Sequence, residues 1–131
     1  MKWLQKWFQS PSLDAGRWAV IDCETSGLDA RRDRLLSLGA CVVHGDRILT
    51  AECFSAVLQQ AWPSHPQNIL IHGIGADEQL GAAPGEGVLR EFARFLGDGV
   101  PAAFHSPFDA EILRREFARA WLIWFGDDPE S

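Results

Sequence analysis

Trp18-Ala19-Val20-Ile21-Asp22-Cys23-Glu24-Thr25-Ser26-Gly27-Leu28 runs an apolar stretch directly into two carboxylates and then into a glycine turn. The apolar run reads as a buried strand, and in a strand residues i and i+2 point to the same face. Asp22 and Glu24 therefore stand side by side, and Cys23 turns the other way. Two like charges that close are costly unless a positive charge sits between them. A hard divalent cation with oxygen ligands meets that need. An isolated Asp-x-Glu is more simply two solvated acids at a strand end, so the pair needs company before it means chemistry.

Outward from this stretch, residues 34–44 read as a second strand, Gly45-Asp46 as a hairpin turn, and residues 47–55 as a third strand. Residues 59–83, rich in Pro, Gly, Gln and Asn, read as a long irregular connection of the kind that is often functional. Val88, Leu89, Phe92, Phe95 and Leu96 share one face of a helix over 85–97, closed by Gly97-Asp98-Gly99. Val100 to Phe104 reads as a short buried strand. Ser106-Pro107 opens a second helix, which runs to about Ala120 with Phe108, Ile112, Leu113 and Phe117 facing inward. Asp109 thus falls in a helical first turn, where negative charge is favoured. The β-β-β-α-β-α order predicts an α/β fold, an antiparallel meander joined to a parallel strand with helices packed on it. Sites in such sheets lie near the strand ends, where Asp22, Glu24 and Asp109 would converge.

Three elements carry a resemblance. Asp22-Cys23-Glu24-Thr25-Ser26-Gly27-Leu28 is similar to the first motif of the DEDD (DnaQ-like) exonuclease family, which includes the proofreading epsilon subunit of bacterial DNA polymerase III. Phe104-His105-Ser106-Pro107-Phe108-Asp109 resembles the second motif, His-Asn-x-x-Phe-Asp, with Ser106 in place of the usual Asn. Ile71-His72-Gly73-Ile74, between them, looks like the family's short His-Gly-Ile element. The resemblance spans about residues 17–120. It implies a ribonuclease-H-like fold, incomplete at its C-terminus, with residues 1–16 as an N-terminal extension and residues 17–131 as the exonuclease-like domain.

The resemblance also implies the chemistry: metal-assisted hydrolysis of a phosphodiester from the 3′ end of DNA or RNA. Asp22, Glu24 and Asp109 are then the catalytic metal ligands for Mg²⁺ or Mn²⁺ in a two-ion site. Thr25, Leu28 and His72 match positions that meet the terminal nucleotide, Leu28 as an apolar wedge. The family's third motif, His-x-x-x-x-Asp, supplies a general base and a fourth carboxylate. Here no His follows His105, and Asp127, Asp128 and Glu130 read as a solvated tail. The second ion is therefore expected to be weak. A fragment, a diverged end and a member without full catalysis all fit. The alternative to an enzyme is a truncated or inactive module that binds nucleic-acid ends or a polymerase subunit. His105 reads as a strand-end residue supporting its loop.

Composition sets outer limits. The 131 residues carry a net charge of −6 and 47% apolar residues, which fits one soluble domain with a real core. The charge argues against broad coating of nucleic acid, which needs a basic face. Arg31 and Arg32 are the arginines placed to contact phosphate. Cys23, Cys41 and Cys53 show no C-x-x-C spacing and read as buried thiols in a reducing cytoplasm. The first ten residues are too short and polar for a membrane span, so no membrane partner is expected. Trp3, Leu4, Trp7 and Phe8 share one helical face. With Trp121 and Trp124 they offer an interaction surface or a homodimer contact as a third reading.

Overall fold

The structure, a computed structural model, describes residues 16–62, 69, 73–97, 99–103 and 106–126. The expectations for the Trp3–Phe8 face, for His72 and His105, and for Asp127, Asp128 and Glu130 lie outside the described residues. Strands β1 (Arg17–Thr25), β2 (Leu35–His44), β3 (Arg47–Val57) and β4 (Val100–Ala103) form one open sheet in the order β3-β2-β1-β4. The first three pair antiparallel, and β4 pairs parallel to β1 from Trp18↔Val100 to Ile21↔Ala103. This is the expected meander plus parallel strand. Helices α1 (Ala76–Gly81), α2 (Gly85–Leu96) and α3 (Ser106–Phe125) complete the fold.

Side-chain alternation along the strands divides the sheet into two unlike faces. Ala19, Ile21, Leu38 and Ala40 point to the helices and join Leu89, Phe92, Ile112, Leu113 and Phe117 in one core. Phe92 packs its ring against Phe54, Phe95 and Phe117 at 5.6–6.5 Å. Val20, Cys41, Val43, Ile48 and Cys53 line the opposite face, an apolar trough that the described residues leave uncovered. Val20 is 47% exposed and Ile48 67%.

Arg17 ties the start of β1 to the end of α2. Its guanidinium donates to the Leu96 and Phe95 carbonyls at 2.9 and 3.2 Å and sits over the Phe95 ring. These carbonyls have no partner within the helix, so the side chain serves as a C-cap. A Cβ on Gly99 would lie 2.9 Å from the Leu96 carbonyl oxygen and 2.7 Å from Arg17 Nη1, which favours glycine there.

Four boundaries differ from the sequence reading. β1 runs on to Thr25, so both acids lie within the strand. β3 runs to Val57, and the long connection contains α1. α3 continues to Phe125, where Gly126 takes φ +73°. The aromatic run at its end is therefore helical. Trp121 stacks on Phe125 at 4.5 Å, and Arg90 lies over Trp124 at 4.9 Å.

The cysteines need a correction. Cys41 and Cys53 form a disulfide across β2 and β3, and Cys23 alone of the three is free. Val42 faces Leu49 but Cys41 faces Cys53, so Thr50, Ala51 and Glu52 are extra residues in β3. That irregularity brings the two sulfurs together.

Candidate active site

The end of β1 and the first turn of α3 meet at the same edge of the sheet. Asp22 sits opposite Gly39 and Glu24 opposite Ser37, with an irregular register between Glu24 and Thr25. By alternation they share the face away from the helices. Asp22 is exposed and Glu24 half-buried. Cys23 points inward against the core. Asp109 reaches it from α3 and is only 7% exposed.

The Cys23 thiol lies between Asp22 and Glu24 in β1 and contacts Asp109 of α3. Burial first pushes its pKa well above the usual thiol range. The Asp109 charge and the thiol's hydrogen bond to that carboxylate add to the rise, followed by Asp22 and Glu24. A thiol held protonated in this way is a donor to Asp109 and not a nucleophile. The sequence showed Cys23 only as the residue turned away from the acids. Its contact with Asp109 depends on how α3 packs beneath β1.

The residues after the acids form a closed loop. Thr25 Oγ1 donates to the Gly27 carbonyl at 2.6 Å. The Ser26 N–H donates to the Arg34 carbonyl at 3.0 Å, and the Arg34 N–H to Ser26 Oγ at 2.9 Å. The Asp33 carboxylate accepts from Ser26 Oγ at 2.9 Å and from the Asp29 N–H at 2.8 Å. A Cβ on Gly27 would lie 2.6 Å from that carboxylate, so only glycine fits the turn. Leu28, at the tip, is 95% exposed.

Two contacts fasten the loop to α3. Arg115 Nη1 donates to the Ala30 carbonyl at 2.6 Å. Arg34 grips Glu116 through two hydrogen bonds. None of Asp33, Arg115 and Glu116 was marked by the sequence as part of the site. Each stands among other charged residues, so its charge alone did not single it out.

Three carboxylates at one strand end are a hard-oxygen donor set of the kind Mg²⁺ or Mn²⁺ takes. As the side chains stand, no three His, Cys, Asp or Glu among the described residues are grouped to hold an ion. Asp109 leans to the helix side, and Asp22 points to the open face.

Residues 19–123 match the family described as Exonuclease, of RNase T type. The chain belongs to this exonuclease family. The family is dependent on divalent metal. The PolC-type DNA polymerase III of Streptococcus suis is 30% identical over 110 residues, which cover 84% of this chain and 7% of the polymerase. That of Halalkalibacterium halodurans is 32% identical over 112 residues, 86% of this chain and 8% of that one. A product-bound exonuclease I superposes with a TM-score of 0.71 at 18% identity, over 82% of this chain and 26% of that one. Escherichia coli exonuclease I with a dT13 oligonucleotide gives 0.70, also at 18% identity, over 81% and 24%. These superpositions establish the ribonuclease-H-like fold of the exonuclease domain. The chain spans less than a tenth of the PolC-type polymerases and about a quarter of exonuclease I. Among the described residues no helix is long and apolar enough to cross a membrane.

Proposed function

We propose that this domain hydrolyses phosphodiester bonds from the 3′ end of a nucleic-acid strand, with Mg²⁺ or Mn²⁺. The observation that carries the reading is the contact of Asp109 with Cys23, the residue between Asp22 and Glu24 in β1, in a domain of the exonuclease family. Asp22, Glu24 and Asp109 would hold the metal. When bound, paired ions of this kind activate a water and stabilise the leaving oxygen.

The chain's own residues do the rest. Asp109 lies in the first turn of α3, where the helix dipole favours its negative charge. Thr25 spends its hydroxyl proton on Gly27, so toward a nucleotide it can only accept a hydrogen bond. Leu28 offers an exposed apolar side chain to a terminal base. By its match to the His-Gly-Ile element, His72 would meet the same terminal nucleotide. On the strength of the PolC-type relatives we place the domain in the cytoplasm beside a polymerase subunit. Neither the fold nor the relatives speak for a homodimer.

A second reading is favoured by one observation. No three donors among the described residues form a metal-holding group, which suits a module that binds strand ends without cutting them. Digestion of a 5′-labelled single-stranded oligonucleotide separates the two. A ladder shortening from the 3′ end in Mn²⁺, absent in EDTA and in Asp22→Ala, is the result expected of the nuclease. No cleavage by folded chain that still binds the oligonucleotide would leave the binding module.

A further inference from the structure

We infer that the loop of residues 26–34 and the middle of α3 form a phosphate-binding rim, which holds the strand upstream of the end to be cut. The inference rests on the exonuclease reading for the strand's polarity, but not for its contacts.

The rim is prebuilt. Ser26, Asp33 and Arg34 close the loop, and Arg115 and the Arg34–Glu116 pair fix it on α3. Arg31 and Arg32 are exposed on it, beside Leu28 and Asp29. Arg32 has a side chain 88% exposed and approaches Asp29 only at 3.8 Å. Asp29 Oδ1 is committed to the Arg31 N–H at 2.9 Å. Among the described residues neither Arg31 nor Arg115 has a carboxylate within ion-pair distance.

The loop and helix charges form one field. Hydrogen bonds from Arg114 hold the Glu111 carboxyl below its usual range against partial desolvation, and the charges of Arg114, Arg115 and Arg31 add to this. Arg115 reaches the loop directly through the Ala30 carbonyl, the residue before Arg31. Arg31, Arg32, Arg34, Arg114 and Arg115 gather here in a chain of net charge −6. Guanidinium forks match phosphate geometry. Arg115 lies six residues beyond Asp109, about 9 Å along the helix axis. A single strand following a charged rim fits this arrangement, because its phosphates can reach several arginines in turn.

The test is binding of a 5′-fluorescein oligo(dT) in EDTA, followed by anisotropy across a range of NaCl. Two lost single-strand phosphate contacts should flatten the slope of log K against log salt by about 1.4. Arg31→Gln/Arg32→Gln should therefore flatten it by that amount and bind roughly tenfold more weakly at low salt. Arg47→Gln, at the far end of β3, should match the native chain. In parallel, hydrolysis of thymidine 5′-p-nitrophenyl phosphate by the native chain in Mn²⁺ reads the acids without any upstream phosphate. An unchanged slope in the double variant, or no salt-dependent binding by the native chain, overturns the rim. A flattened slope with no ester hydrolysis by the native chain keeps the rim and removes the exonuclease reading.

Discussion

Arg34 and Glu116 are joined by two hydrogen bonds, Nε to Oε1 at 2.7 Å and Nη2 to Oε2 at 3.2 Å, across 82 residues of sequence. Glu116 is nearly buried and also accepts the Leu35 N–H at 3.2 Å. The pair therefore binds the start of β2 and the foot of the loop to α3. Glu116→Ala leaves a buried N–H without an acceptor, and should cost about 2–4 kcal/mol. Glu116→Gln keeps that acceptor and should cost less. Urea midpoints of the two variants check the order, and equal losses would mean that the Leu35 contact contributes nothing.

Asp22 is exposed and its side chain supports no packing. Asp22→Ala should therefore leave stability within about 0.5 kcal/mol of the native chain while nuclease activity is lost. Thermal melting and oligonucleotide digestion on one preparation test both halves. A large fall in melting temperature would show that Asp22 serves the fold.

The raised pKa of Cys23 has a definite sign for stability. The folded thiol holds its proton to a pH above the 9.0 at which an unfolded thiol releases it. The contribution is thus complete below about pH 9 and is lost as pH rises, by at most about 1.4 kcal/mol per unit. Urea titrations in EDTA at pH 7 and at pH 10 should show a steeper loss for the native chain than for Cys23→Ala. Parallel losses would remove the burial of the thiol as the cause.

The Cys41–Cys53 bond closes a sequence separation of 12 residues. Loop-closure entropy for a ring of that size is worth about 3 kcal/mol. Reduction, or Cys41→Ser/Cys53→Ser, should lower unfolding stability by up to that amount. In a reducing cytoplasm the same positions would hold two facing thiols. A native chain showing three reactive thiols after denaturation without reductant would contradict the bond.

The architecture was legible because its signals are local. The apolar run before Asp22, the glycine at the hairpin, and the spacing of Val88, Leu89, Phe92 and Leu96 each specify an element without reference to the rest. The first-turn position of Asp109 followed from Ser106-Pro107. What was not legible depends on register or on distant packing. A plain two-residue hairpin at Gly45-Asp46 sets Cys41 against Thr50, and only the three extra residues of β3 set it against Cys53. The end of α3 was hidden by the Trp121–Phe125 run, which shows no polar face to mark a helix. The roles of Cys23, Arg115 and Glu116 arise from contacts across roughly 80 residues of chain, beyond the reach of any local pattern.

The edges of the sheet carry a consequence for assembly. β4 is four residues long with Pro101 at its second position, and β3 is interrupted by Thr50, Ala51 and Glu52. A short edge with a proline and an edge with a bulge are both poor templates for another strand. Among the described residues, growth of the sheet by strand addition is disfavoured from either side, so this part of the domain should resist fibril-like stacking even while its trough of Val20, Val43 and Ile48 is exposed to solvent.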